Sequence, residues 1–219
     1  MNMESIACSL DELLCQSLSL YRQNRFYDDC LESEQKASHM LEEAWAMVHK
    51  TKNCADMAKL GCILECLVQK FYIDYNTDKA LDDVDTTLIA FWKKNEASCM
   101  EVFSVYLWFG YYFLLRFRNK QSVFHSRNKR MMAEIISFLT DTFRRFKTKS
   151  ISVEVLALFS PDVWSETVCW VEQVHDSCLC EKQTLNLLQQ LYDMGTSEVN
   201  QERLKEDALL QQVVTFYCF

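Results

Sequence analysis

Apolar residues recur at helical spacing along almost the whole chain. Leu10, Leu13, Leu14, Leu18 and Tyr21 share one face of a first helix over 9–24, with Ser9 as its cap. A second face follows at Cys30, Ala37, Met40, Leu41, Ala44, Met47 and Val48. Between them the polar stretch "LYRQNRFYDDC" (20–30) reads as the corner of a helical hairpin. The same periodicity predicts helices at about 54–73, 83–94, 97–118, 128–147, 162–177, 182–194 and 197–217, with a short one near 152–158.

The breaks have local causes. "DYNTD" (74–78) is a polar turn cluster. In "FSPD" (159–162), Pro161 suits a first helical position with Ser160 as cap. Gly195, followed by Thr196 and Ser197, is expected to end one helix and cap the next.

Composition sharpens this to a fold class. The chain has 219 residues, 49% of them apolar, enough for a sizeable core. It holds only 3 Gly and 1 Pro, too few for the turns of a β-rich fold. The expectation is an all-α single domain over 1–219, a bundle of eight to ten helices with no fixed-period repeat. The uncharged run "VFSVYLWFGYYFLL" (102–115) is 14 residues, short of the roughly 20 that span a bilayer. It reads as a central helix that buries Tyr106, Trp108, Tyr111 and Phe113, and no membrane association is expected.

Chemistry enters only weakly. The 11 cysteines are odd in number and scattered, and Met1–Cys15 carries three acidic residues with no apolar leader core. Reduced, buried thiols inside a cell are the expectation. His175, Cys178 and Cys180 form "HDSCLC", with Cys169 upstream, but they straddle a helix end with no matching second pair. No metal site and no cofactor are expected. Neither GxGxxG nor GxxxxGK[ST] occurs, and no acid–base or nucleophile set is visible, so the chain is read as a non-enzyme.

Charge is uneven. The net charge is −8, yet 116–149 holds ten basic residues against Glu134 and Asp141 alone. Arg116, Arg118, Lys120, Arg127, Lys129, Arg130, Arg144 and Arg145 form a candidate basic patch. It is either a nucleic-acid or acidic-partner dock, or a solvated helix face paired with the acidic remainder.

Two helical families bear comparison. The first hairpin is faintly similar to a tetratricopeptide unit through Tyr27, Cys30 and Ala37, but the expected Gly is missing and no second copy follows. Four other stretches occur in order. They are "LDELLCQSLSLYRQNRFYDD" (10–29) with Tyr21, Arg22, Arg25 and Asp28, "LECLVQKF" (64–71), "YNTDKALDDVDTTLIAFW" (75–92) and "KSISVEVLALFSPDVW" (149–164). Together they resemble the telomeric-repeat-factor homology domain, the dimerisation and docking domain of double-stranded telomere-binding proteins. The resemblance covers about residues 10–194, with a C-terminal helix at about 197–217 beyond it. There are departures. Asp82 and Asp83 replace a Thr-Pro pair, the docking loop is shorter, and 113–130 shows little similarity. The family's Myb-type DNA-reading domain is not among these residues.

The resemblance implies a nuclear, telomere-associated scaffold that dimerises and docks short F-x-L-x-P-type motifs of partner proteins. DNA would be engaged only indirectly or through a domain absent here. The implied peptide site is Cys66, Gln69, Lys70 and Tyr75, with Tyr75 as an aromatic lid. The implied two-fold contact uses Leu10, Leu13, Leu14, Leu18 and Tyr21 with Leu185, Leu188, Leu191 and Tyr192. By periodicity alone, such a leucine stripe serves equally well as intramolecular core. The rival readings are a generic tetratricopeptide-like interaction scaffold and direct nucleic-acid binding through 116–149.

Overall fold

The computed structural model describes residues 8–24, 31–95, 105–147 and 161–198, and among them all the regular structure is helical, with no strand. None of the described helices is long and apolar enough to cross a membrane. The chain gathers into two compact units, with a boundary between Tyr75 and Asn76.

In the first unit, α1 (Leu10–Asn24), α2 (Leu31–Thr51) and α3 (Cys54–Gln69) all pack on one another. α1 opens with a capping box. The Ser9 hydroxyl accepts the Glu12 N–H at 3.3 Å, and the Glu12 carboxylate accepts the Ser9 N–H at 2.8 Å. Those bonds hold the Glu12 carboxyl below its ordinary range. α1 runs on through Arg22 to Asn24, so the front of the predicted corner is still helix, while residues 25–30 lie outside the described part. Leu14 and Leu18 are fully buried, each contributing about 1.5–3 kcal/mol of apolar transfer. Two polar contacts fix the α1–α2 register. Ser17 Oγ donates to the Ala37 carbonyl at 2.9 Å, and the Tyr21 and Ser38 hydroxyls meet at 2.9 Å. α3 is capped by the Asn53 side chain, which accepts the Ala55 and Asp56 N–H groups, and it is buried at every position from Leu60 to Val68.

The second unit contains α4 (Thr77–Ala80), α5 (Asp82–Asn95), α6 (Tyr106–Arg118), α7 (His125–Lys147), α8 (Pro161–Asp176) and α9 (Glu181–Glu198). α6 is its central element, packed against α7 and α8, while α9 closes over both. The predicted aromatic core holds: Tyr106, Trp108, Tyr111 and Phe113 are all buried. Gly110 is where α8 comes closest. A Cβ there would sit 2.6 Å from Trp170 Cε2, so only glycine admits the indole. α7 buries Met131, Met132, Ile135, Ile136, Leu139 and Phe143 at i, i+4 spacing.

Several boundaries differ from expectation: α3 ends at Gln69 rather than 73, and α6 begins at Tyr106 rather than 97. "DYNTD" is not all turn: Asn76 accepts the Lys79 N–H and starts α4 at Thr77. Gly195 does not end a helix, because α9 continues to Glu198; an interior glycine costs only about 1 kcal/mol against alanine. α7 begins at His125 rather than 128. Pro161 does open α8, while the Ser160 cap, the short helix near 152–158 and the C-terminal helix from 199 onward lie outside the described residues.

Candidate functional site

α3 ends in a tight C-terminal motif. The Phe71 N–H donates to the Val68 carbonyl at 3.0 Å and the Tyr72 N–H to the Leu67 carbonyl at 2.9 Å. This pattern places Phe71 in left-handed backbone, with φ 61°. Glycine is the usual occupant, because a Cβ there costs roughly 1–2 kcal/mol. Nevertheless the site holds a phenylalanine, and its side chain is 87% exposed. Tyr72 turns the other way and packs edge-on against Tyr21, with ring centroids 6.1 Å apart. Tyr75 follows at 58% exposed. Two large aromatic rings thus stand in solvent on one short loop, anchored by the ring between them.

The expected peptide-site residues are distributed unevenly. Cys66 is fully buried and offers no face to a peptide; its position in the α3 repeat points it into the core. Gln69 and Lys70 are half-buried at the helix end, and Tyr75 is exposed. Beneath them lies Glu65, a fully buried carboxylate that accepts the Gln69 amide at 3.0 Å. Phe71 and Glu65 went unread in the sequence. An aromatic directly after an apolar helix, in a chain with three glycines, was the signal for Phe71.

The leucine stripe resolves toward the interior. Leu10, Leu13, Leu14, Leu18 and Tyr21 are buried within the single chain, where α1 meets α2 and α3. They are core, because a 3.6-residue repeat on a first helix serves its nearest neighbours first. On α9, Leu188 and Leu191 are also buried, while Leu185 and Tyr192 are exposed. The Tyr192 hydroxyl donates to Glu172 at 2.5 Å, and that bond raises the phenol above its ordinary range.

The basic segment is not one patch. Arg116 is fully buried and lies 2.8 Å from Asp85 and 2.9 Å from Asp78. Arg127 is half-buried and also pairs with Asp85, its guanidinium 4.0 Å from the Phe124 ring centroid. Arg118 is half-buried and donates to the Ser177 hydroxyl and the Gln173 carbonyl, each at 2.9 Å. These three leave the candidate patch, because Asp85, Asp78 and the end of α8 on the same unit claim them. Lys120, Lys129, Arg130, Arg144 and Arg145 remain exposed, with Arg130 paired to Glu134 and Arg144 to Asp141 at 2.9 Å each.

Around Arg116 lies a closed polar network that sequence reasoning missed. The Tyr112 hydroxyl donates to Asp85 at 2.6 Å, and Arg116 and Asn119 donate to the Thr77 hydroxyl at 3.2 and 3.0 Å. Asp78 accepts the Ser122 hydroxyl and the Val123 N–H, each at 2.7 Å. Burial alone pushes the Asp78 carboxyl up. Those two bonds and the Arg116 charge outweigh it and hold the carboxyl below its ordinary range. The two arginines and two aspartates face one another and little of the network meets solvent, so it ties α4 and α5 to α6 and α7.

The thiols are less buried than expected. Cys62 and Cys66 are buried, but Cys8, Cys169 and Cys178 are exposed. Among the described residues no three of His, Cys, Asp and Glu gather as a metal-ligand set. His175 Nδ1 lies 3.0 Å from the Thr184 hydroxyl instead. Compared with models of protein families, with curated proteins and with solved structures, the chain matches none.

Proposed function

We propose that this chain is a non-enzymatic helical docking scaffold whose loop after α3 captures a short apolar peptide segment. The carrying observation is Phe71: an aromatic held at a left-handed position that favours glycine, with its ring in solvent. Strain of that kind, with no packing to offset it, supports a role outside the fold. Phe71 and Tyr75 would clasp an apolar side chain, with Gln69 and Lys70 at the edge for the peptide backbone.

The class of partner rests on the sequence resemblance alone: an F-x-L-x-P-type segment of a telomere-associated protein, met in the nucleus. Self-association belongs to the same reading. Its candidate surface moves to Leu185 and Tyr192 of α9, since the α1 stripe is interior. Direct nucleic-acid binding would rest on Lys120, Lys129, Arg130, Arg144 and Arg145 alone, because Arg116, Arg118 and Arg127 are engaged within the protein.

The test pairs thermal unfolding with titration of a labelled F-x-L-x-P peptide. Tyr75→Ala and Phe71→Gly should each weaken binding by about 2 kcal/mol, roughly thirtyfold. Phe71→Gly should leave the protein as stable or more stable, because it relieves backbone strain and loses little burial. Unchanged affinity in both variants, or no binding by the unaltered protein, would sink the reading.

A further inference from the structure

The corner between α8 and α9 carries two thiols, Cys178 and Cys180, both in left-handed backbone with φ 54° and 50°. The first is the glycine-favouring position of another helix C-terminal motif. The Cys178 N–H donates to the His175 carbonyl at 2.8 Å and the Leu179 N–H to the Val174 carbonyl at 3.3 Å. Leu179, between the cysteines, is 2% exposed and anchors the corner, while Cys178 is exposed and Cys180 half-buried. Cys178 is thus open to solvent, while Cys180 lines a groove with Thr140 and Asp141 of α7 and Gln183 and Asn186 of α9. On the far side, the Cys180 carbonyl accepts the Thr184 N–H at 2.9 Å, which ties the turn to α9.

We infer that Cys178 and Cys180 form a reversible dithiol–disulfide site that exchanges with a low-molecular-weight disulfide. Residues two apart span at most roughly 7 Å when extended, and a bent turn brings them within the roughly 4.4–6.8 Å Cα separation that a disulfide needs. Cys54, Cys62 and Cys169 are poor competitors. Burial raises the Cys54 thiol and raises that of Cys62 far more, and a buried thiol is a poor nucleophile. Cys169 lies seven residues before the end of α8, roughly 10 Å along the helix.

The exchange balances with glutathione disulfide as the oxidant. The exposed Cys178 thiolate attacks one of its sulfurs, the S–S bond breaks, and one glutathione leaves as a thiolate that takes up a proton. The Cys180 thiolate then attacks the Cys178 sulfur, expels the second glutathione and closes the intramolecular disulfide. The protein gives up two protons and two electrons, all carried away on two glutathione thiols. An exposed disulfide in a constrained turn is of the readily reduced kind, so reduced glutathione reverses the sequence.

The test equilibrates the full chain with glutathione at a series of oxidised-to-reduced ratios, quenches with acid, alkylates the remaining thiols and maps the peptides by mass. The expected result is a single two-electron transition in which the peptide holding 178–180 loses two hydrogens and carries no glutathione. Cys180→Ser should stop at a glutathione adduct on Cys178, and Cys169→Ser should close as the unaltered chain does. Separate adducts on both cysteines, a bridge from either to Cys169 or to a second chain, or thiols unchanged across the series would each overturn the assignment.

Discussion

The Arg116 guanidinium and the Asp85 carboxylate lie 2.8 Å apart, and neither side chain is exposed at all. The pair joins α6 to α5, and Tyr112 completes the Asp85 shell from the same helix as Arg116. Asp85→Ala would leave a buried guanidinium short of its closest counter-charge. The expected loss is about 3–5 kcal/mol in a denaturant titration. Joining it to Arg116→Met should cost less than the two single changes added together, because neither member of the fully buried pair is then left facing the other's absence.

Asp78 makes the same network sensitive to acid. Its folded carboxyl sits below the ordinary range, so the unfolded chain binds the proton more readily. The stability it contributes is present above the unfolded value, roughly 3.9, and disappears as pH falls through the folded value. Melting temperature measured from neutral pH downward should fall less steeply in Asp78→Asn over that acid window. An unchanged slope would mean that Asp78 is not part of the linkage.

Leu14 is fully buried within the first unit. Leu14→Glu should therefore cost several kcal/mol of folding stability by placing a carboxylate among apolar side chains. The readout is thermal unfolding followed by circular dichroism. A variant that keeps its melting temperature but changes its sedimentation would instead mark Leu14 as an intersubunit contact.

At Gly110 the margin is set by Trp170, whose ring is also fully buried and cannot step aside. Gly110→Ala should destabilise the protein by about 1–3 kcal/mol, even though alanine is the better helix former. Pairing it with Trp170→Phe should recover part of the loss. A stabilised Gly110→Ala protein would contradict the close approach.

Residues with one local task were read correctly along the chain. Ser9 capped α1, Pro161 opened α8, and the aromatic run over 106–113 went to the centre of its unit. Each outcome depends on a few neighbouring residues and on the lack of turn formers, so the pattern carries it. Residues with two possible partners were misread. Arg116 looks like its basic neighbours in one dimension, and Asp85 looks like a polar position on an exposed helix face. Their pairing depends on two helices crossing, which no local spacing records.

The sequence by itself determined the helical class, most helix positions and the apolar faces, because those follow from periodicity, capping and the scarcity of glycine and proline. Only the tertiary structure decided what each face met. It sent the α1 leucines inward against α2 and α3, drew three arginines out of the basic segment, and left Phe71 and Tyr75 in solvent. The physical reason is that burial and ion pairing are contests among all the groups in reach. Reach is set by how the helices pack, whereas the helical repeat is set by each stretch alone.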